Sequence, residues 1–157
     1  RHLPESVGSA RRLGIIDLHT GLGPSGHGEL ISHEASDDPG YARGTDWWGK
    51  VRSMRDGESV SASLEGDWLA AIEQWVPDVE ITAAALEFGT VDTITVLQSL
   101  RADAWLHAHG DPNGPQAEAI RSQVRAAFVD DDPAWLATLI ERFDGITSAA
   151  LAALTAG

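Results

Sequence analysis

Apolar and polar residues alternate through Leu13-Gly-Ile-Ile-Asp-Leu-His19, which predicts a short strand over 13–19. Period two puts Ile15, Asp17 and His19 on one face and Ile16, Leu18 and Thr20 on the other. The glycines at 21, 23, 26 and 28 then predict a loop that lets backbone come close to a ligand. Glu29-Leu-Ile-Ser32 predicts a second short strand, 33–40 a loop, and 41–48 a short helix closed by Gly49. Residues 50–64 show no clear period and are expected to be mostly loop. Asp67 is the predicted N-cap of a helix reaching Val76, with Trp68, Leu69, Ile72 and Trp75 at helical spacing and Pro77 as the stop. The stretch 79–90 is β-branched at its start and mostly apolar, which predicts a strand buried on both faces with Glu87 at its carboxyl end.

Three helical patterns follow. The first, over 91–109, is expected to turn Ile94, Leu97, Leu100, Ala104 and Ala108 inward and to stop at Gly110. The second covers 116–129 on Ala117, Ile120, Val124, Ala127 and Phe128. The third opens on Asp132 as N-cap with Pro133 in its first turn, carries Trp135, Leu136, Leu139, Ile140 and Phe143, and is expected to break at Gly145 before 146–154. The tryptophans are spread over several elements and read as core, with Trp47-Trp48 the one pair able to line a pocket. Strand, loop, helix, strand and then helices define an α/β fold. Two or three strands are few for this many amphipathic helices, so part of the sheet is expected upstream and 1–157 reads as one portion of a single domain.

Composition narrows the partners. Hydrophobic residues make up 43% of the 157, which argues for a folded chain, and no apolar run approaches the roughly 20 residues a membrane helix needs. A soluble, cytoplasmic protein with no membrane partner is expected. The net charge of -13 sets one lysine and ten arginines against 24 acids, which disfavours nucleic acid as a partner. The absence of cysteine removes thiolate nucleophiles and leaves His, Asp and Glu for any metal. The polar stretch 1–12 begins with Arg1 and has the character of an excised piece.

Two strands end in an ionisable residue followed by small residues: Asp17-Leu-His19-Thr-Gly and Leu86-Glu87-Phe-Gly-Thr. A carboxylate buried there needs a cation, a metal or a proton. A neutral imidazole binds zinc and a nearby carboxylate accepts the proton of an activated water, so His19 and Glu87 could serve one site. The plainer alternatives are a core histidine bonded to a neighbour and a glutamate paired with an arginine. His27 either reaches substrate or is an exposed loop histidine, which the looseness of loops favours. Asp17 could orient His19 from behind, and His107 and His109 suit the carbonyl end of a helix.

Four blocks carry a resemblance: Ile16-Asp-Leu-His-Thr-Gly-Leu-Gly-Pro24, Gly26-His-Gly-Glu-Leu-Ile31, Leu86-Glu-Phe-Gly-Thr90 and Arg101-Ala-Asp-Ala-Trp-Leu-His-Ala-His-Gly-Asp111. Together they resemble the C-terminal half of an uncharacterised bacterial family in the zinc carboxypeptidase superfamily, and the first and third also resemble succinylglutamate desuccinylase and aspartoacylase. The resemblance implies a partial three-layer fold with a mixed central sheet flanked by helices. It also implies zinc as cofactor, His19 as its third ligand and Glu87 as general base and acid. Beside these, Thr20 and His27 are the candidate substrate contacts. The family's first two ligands come from a His-x-x-Glu motif in the N-terminal half; His27-Gly-Glu29 and His33-Glu34 have the wrong spacing, so the motif is expected upstream and not in this chain, together with most of the substrate-gripping arginines. The implied activity is hydrolysis of a peptide or amide bond near a free carboxylate, with an N-acyl amino acid deacylase as the nearest rival. The isolated piece is expected to be inactive without the N-terminal half of its domain. A non-catalytic remnant with a binding role is the reading from a different class.

Overall fold

The alternation that begins at Leu13 continues past His19: β1 spans Arg12–Ser25 rather than stopping at the glycines. Gly21 and Gly23 extend the strand with φ of 139° and 99°, a backbone that side-chain-bearing residues rarely adopt. The turn is made instead by Gly26 and His27, whose N–H groups donate to Gly89 O at 3.2 Å and Pro24 O at 3.0 Å. The computed structural model describes residues 7–62, 66 and 68–156. Beyond β1 it comprises β2 (Gly28–Ser32), α1 (Pro39–Trp48), β3 (Arg52–Ser53), α2 (Trp68–Trp75), β4 (Glu80–Gly89), α3 (Thr93–His109), α4 (Ala117–Phe128) and α5 (Pro133–Thr155). Asp67, the expected N-cap, lies outside the described residues, as do the first six residues of the polar lead-in.

The strands form one open sheet in the order β1-β4-β2-β3. Glu80 N–H donates to Arg11 O where β4 begins, and Gly26 N–H donates to Gly89 O where it ends, so β4 follows β1 in the same direction. β2 leaves the Gly26-His27 turn on the other side of β4 and therefore runs back against it. It pairs in parallel with β3, in the register Ile31↔Arg52 and Ser32↔Ser53. The fold is thus α/β, as the pattern of elements predicts, with the mixed sheet flanked by helices that the resemblance implies.

The chain divides into two compact units, the described residues of 1–18, 29–86 and 141–157, and those of 19–28 and 87–140. In the first, Leu69, Ile72 and Val76 pack on Ile81 and Ala83 of β4, with Leu13 and Ile15 of β1 against them. Leu13 and Ile15, on the face that also carries His19, are partly buried there, whereas His19 itself is exposed. Trp68 and Trp75 lie outside this core: α2 turns Leu69 and Ile72 inward, which leaves both indoles more than two-fifths exposed. Trp47 and Trp48 meet edge to face at 5.5 Å, and Trp48 is buried, with its Nε1 donating to Ile146 O. Gly145 does not break α5, contrary to expectation. A helical glycine costs only about 1 kcal/mol, and the buried pair Ile146 and Ala150 beyond it holds the helix to the core. The Arg12 guanidinium donates to Ala153 O and Leu154 O, placing a cation at the helix's carbonyl end.

In the second unit, Asp92 caps α3 by accepting from Ile94 N and Thr95 N, and Asp132 Oδ1 accepts from Ala134 N where α5 opens on Pro133. The face of α3 differs from expectation. Val96, Ser99 and Leu106 are buried, whereas Ile94, Leu97 and Leu100 are exposed. The apolar residues of α3 occur on both sides of the helix, and packing on α4, where Gln123 Nε2 donates to Ser99 Oγ, selects the less obvious side. Leu106 is 1% exposed and Leu97 54%. Leu106→Ala is therefore expected to cost about 2–5 kcal/mol by urea unfolding, while Leu97→Ala stays within about 0.5 kcal/mol. Equal effects would restore the predicted face. Among the described residues no helix is long and apolar enough to cross a membrane.

Candidate functional site

Because β1 and β4 are sheet neighbours running the same way, their carboxyl ends converge, and the polar residues delivered there meet. Glu87 is 5% exposed. Its Oε1 accepts a 2.9 Å hydrogen bond from Leu22 N, and its Oε2 lies 3.7 Å from His19 Nδ1. The imidazole is half exposed, with 51% of its side-chain surface open. One member of the pair is thus buried and fixed by backbone, and the other faces solvent.

The surroundings hold this end of the sheet still. Gly89 touches β1 so closely that a Cβ there would overlap the carbonyls of Gly23 and Pro24. The Gly89 carbonyl accepts from Trp135 Nε1 at 3.0 Å. Thr90 Oγ1 donates to Ala127 O at 2.5 Å and stands 3.2 Å from Gly21 O. Gly21 in turn leaves no space for a side chain, since a Cβ would meet the Phe128 ring at 2.9 Å. Leu22, whose N–H holds Glu87, is therefore positioned by the residue just before it.

The other expected site residues are distributed differently. Thr20 is partly buried next to His19 in β1, and His27 is exposed at the turn, its carbonyl accepting from Gly89 N. The Asp17 carboxylate accepts a 2.8 Å hydrogen bond from Trp68 Nε1. The α3 carbonyl end is closed by Gly110 N–H donating to Trp105 O and Leu106 O, and His107 Nε2 stands 3.6 Å from Asp103 Oδ1. The His-x-x-Glu spacing expected upstream does occur inside the chain, at His2 and Glu5, which lie outside the described residues.

Sequence reasoning passed over a second grouping, in the first unit. Ligand atoms of His33, Glu34 and Glu73 all lie within 4.8 Å of one another, the one such trio among the described residues. No linear spacing could reveal it, because Glu73 arrives on α2 from far along the chain. These residues line a pocket of about 350 Å³ together with Asp38, Arg43 and Arg55. Burial and the Glu73 charge hold the Glu34 carboxyl above its ordinary value of 4.5, against the pull of Arg43, and Asp38 adds to the rise. Because the native state binds this proton more tightly than the unfolded chain, Glu34 supports folding best below pH 4.5 and loses that contribution as pH rises through its raised value. Glu34→Gln is thus expected to raise the urea midpoint more at pH 7 than at pH 4. Equal shifts at both would contradict this.

The fold and the pair together define a class, an open-sheet α/β protein with an imidazole and a buried carboxylate facing each other beyond adjacent parallel strands. Within it, the chain belongs to the family described as protein of unknown function (DUF2817), whose model matches residues 2–142. No curated protein and no solved structure matches it.

Proposed function

We propose that this chain carries the proton-transfer part of a zinc-dependent hydrolase acting on a peptide or amide bond near a free carboxylate. The observation that carries the reading is the Glu87 carboxylate, buried, held through Oε1 by Leu22 N–H and turned through Oε2 toward His19. The resemblance of Asp17-Leu-His19-Thr and Leu86-Glu87-Phe-Gly to the zinc carboxypeptidase superfamily and its deacylases supports the same assignment. His19 suits zinc by donor type and by its exposure, but among the described residues no trio of metal donors includes it. Further ligands would come from outside the described residues, where His2 and Glu5 also lie. Zinc would supply Lewis acidity toward the scissile carbonyl.

What the chain itself contributes follows from geometry. The backbone bond to Oε1 fixes one carboxylate oxygen, leaving Oε2 to accept a proton from an attacking water and return it to the leaving amine. Within this class an N-acyl amino acid deacylase is the nearest alternative. That no trio of metal donors among the described residues includes His19 favours a second reading, a superfamily fold retained for binding without catalysis. The test is hydrolysis of C-terminally free peptides and of N-acyl amino acids by a protein that carries this chain together with the further zinc ligands, before and after chelation and zinc repletion. Chelator-sensitive turnover supports the enzyme. Absence of turnover on both substrate classes with zinc present supports the binding protein.

A further inference from the structure

We propose that His33, Glu34 and Glu73 form a site for a divalent transition-metal cation, made entirely of residues other than the His19–Glu87 pair. The donor chemistry comes first: one imidazole nitrogen and two carboxylate oxygens lie within 4.8 Å of one another. Ligands about 2.1 Å from a common ion sit roughly 3–4 Å apart, so modest rotamer changes bring all three into one coordination shell. An imidazole among carboxylates favours zinc or a similar first-row ion over calcium or magnesium, which prefer oxygen donors.

The donors stand on braced backbone. His33 is 8% exposed and directly follows Leu30, Ile31 and Ser32, the buried end of β2. Glu34 N–H donates to Ser32 Oγ at 3.1 Å, and its carbonyl accepts from Ser53 Oγ at 2.7 Å. The Glu34 carboxylate then lies over Gly40, where any Cβ would overlap it. Glu73 belongs to α2, anchored by Leu69 and Ile72 in the core. Three residues from two separate stretches of chain, 33–34 and α2, thereby line one pocket of about 350 Å³, roomy enough for an ion with solvent completing its shell.

Charge in the pocket points the same way. Arg43 and Arg55 line it, and each has a partner besides the Glu34 and Glu73 carboxylates. Arg43 donates to Ile81 O at 2.5 Å and to Thr82 Oγ1 at 3.2 Å, and Arg55 stands 3.6 Å from Asp38. Three carboxylates, those of Glu34, Asp38 and Glu73, thus share the pocket with two guanidiniums and an imidazole, and a dication between Glu34 and Glu73 would turn the repulsion of that pair into attraction.

The test uses the metal-stripped chain, titrated with Zn²⁺ by calorimetry and with Co²⁺ by visible absorption. One equivalent of metal is expected to bind at this site, with d–d bands for Co²⁺. Glu73→Gln, on an exposed turn of α2, preserves the fold and is expected to weaken binding by more than about tenfold, a loss that even outer partners of metal sites produce. His33→Ala should do the same with a melting curve confirming that it folds. His19→Ala and Glu87→Gln should leave this equivalent unchanged, so the proposal stands or falls apart from the hydrolase. No binding, or binding lost in His19→Ala and kept in Glu73→Gln, overturns it.

Discussion

In a protein that carries this chain together with the further zinc ligands, Glu87→Gln is expected to lower hydrolytic turnover by about a hundredfold or more, the range typical of losing a general base. The substitution keeps the size of the side chain, and an amide oxygen can still accept the 2.9 Å bond from Leu22 N. What disappears is the proton acceptor at Oε2 and the negative charge facing His19 at 3.7 Å. Zinc content should barely change, because Glu87 is assigned proton transfer and not ligation. His19→Ala should lower turnover and zinc content together, provided the metal of the His33 pocket is counted separately. The measurement is turnover of a C-terminally free peptide or an N-acyl amino acid beside zinc per chain for the wild type and both variants. Near wild-type turnover in Glu87→Gln would return the residue to a buried strand-end carboxylate held by backbone.

The second large effect belongs to Gly89. A methyl group there would run into the carbonyls of Gly23 and Pro24, and main-chain atoms inside a sheet have no alternative rotamer to adopt. Gly89→Ala should therefore cost more than about 3 kcal/mol, beyond the usual range for an inserted methylene. The same shift would separate β4 from the Gly26-His27 turn and move Glu87, two residues away, so activity should fall with stability. Gly145→Ala is the control. Its Cβ meets nothing within 4 Å and its helix is continuous, so stability should rise by roughly 0.5–1 kcal/mol. Chemical denaturation of the two variants under one condition decides the matter. A Gly89→Ala chain as stable as wild type would mean that β1 and β4 are spaced more widely than described.

By itself, the sequence determined what depends on near neighbours along the chain. The alternation at Leu13, Ile15 and Asp17, the doubly buried run of β4, the Asp92 and Asp132 caps and the Gly49 stop all act over one strand face or one helical turn. The meeting of His19 and Glu87 was also legible, because two apolar strands each ending in an ionisable group converge whenever they are parallel neighbours. Tertiary structure decided the rest. Gly21 and Gly23 look like a loop, yet β1 continues through them, with Phe128 leaving no room for a Cβ at Gly21 and the Gly23 carbonyl lying against Gly89. The inward face of α3 depended on α4, since an apolar stripe on each side of a helix leaves the choice to whatever packs against it. The trio of His33, Glu34 and Glu73 owes its existence to a helix residue meeting the two residues that follow β2, a proximity of distant segments that no local period encodes.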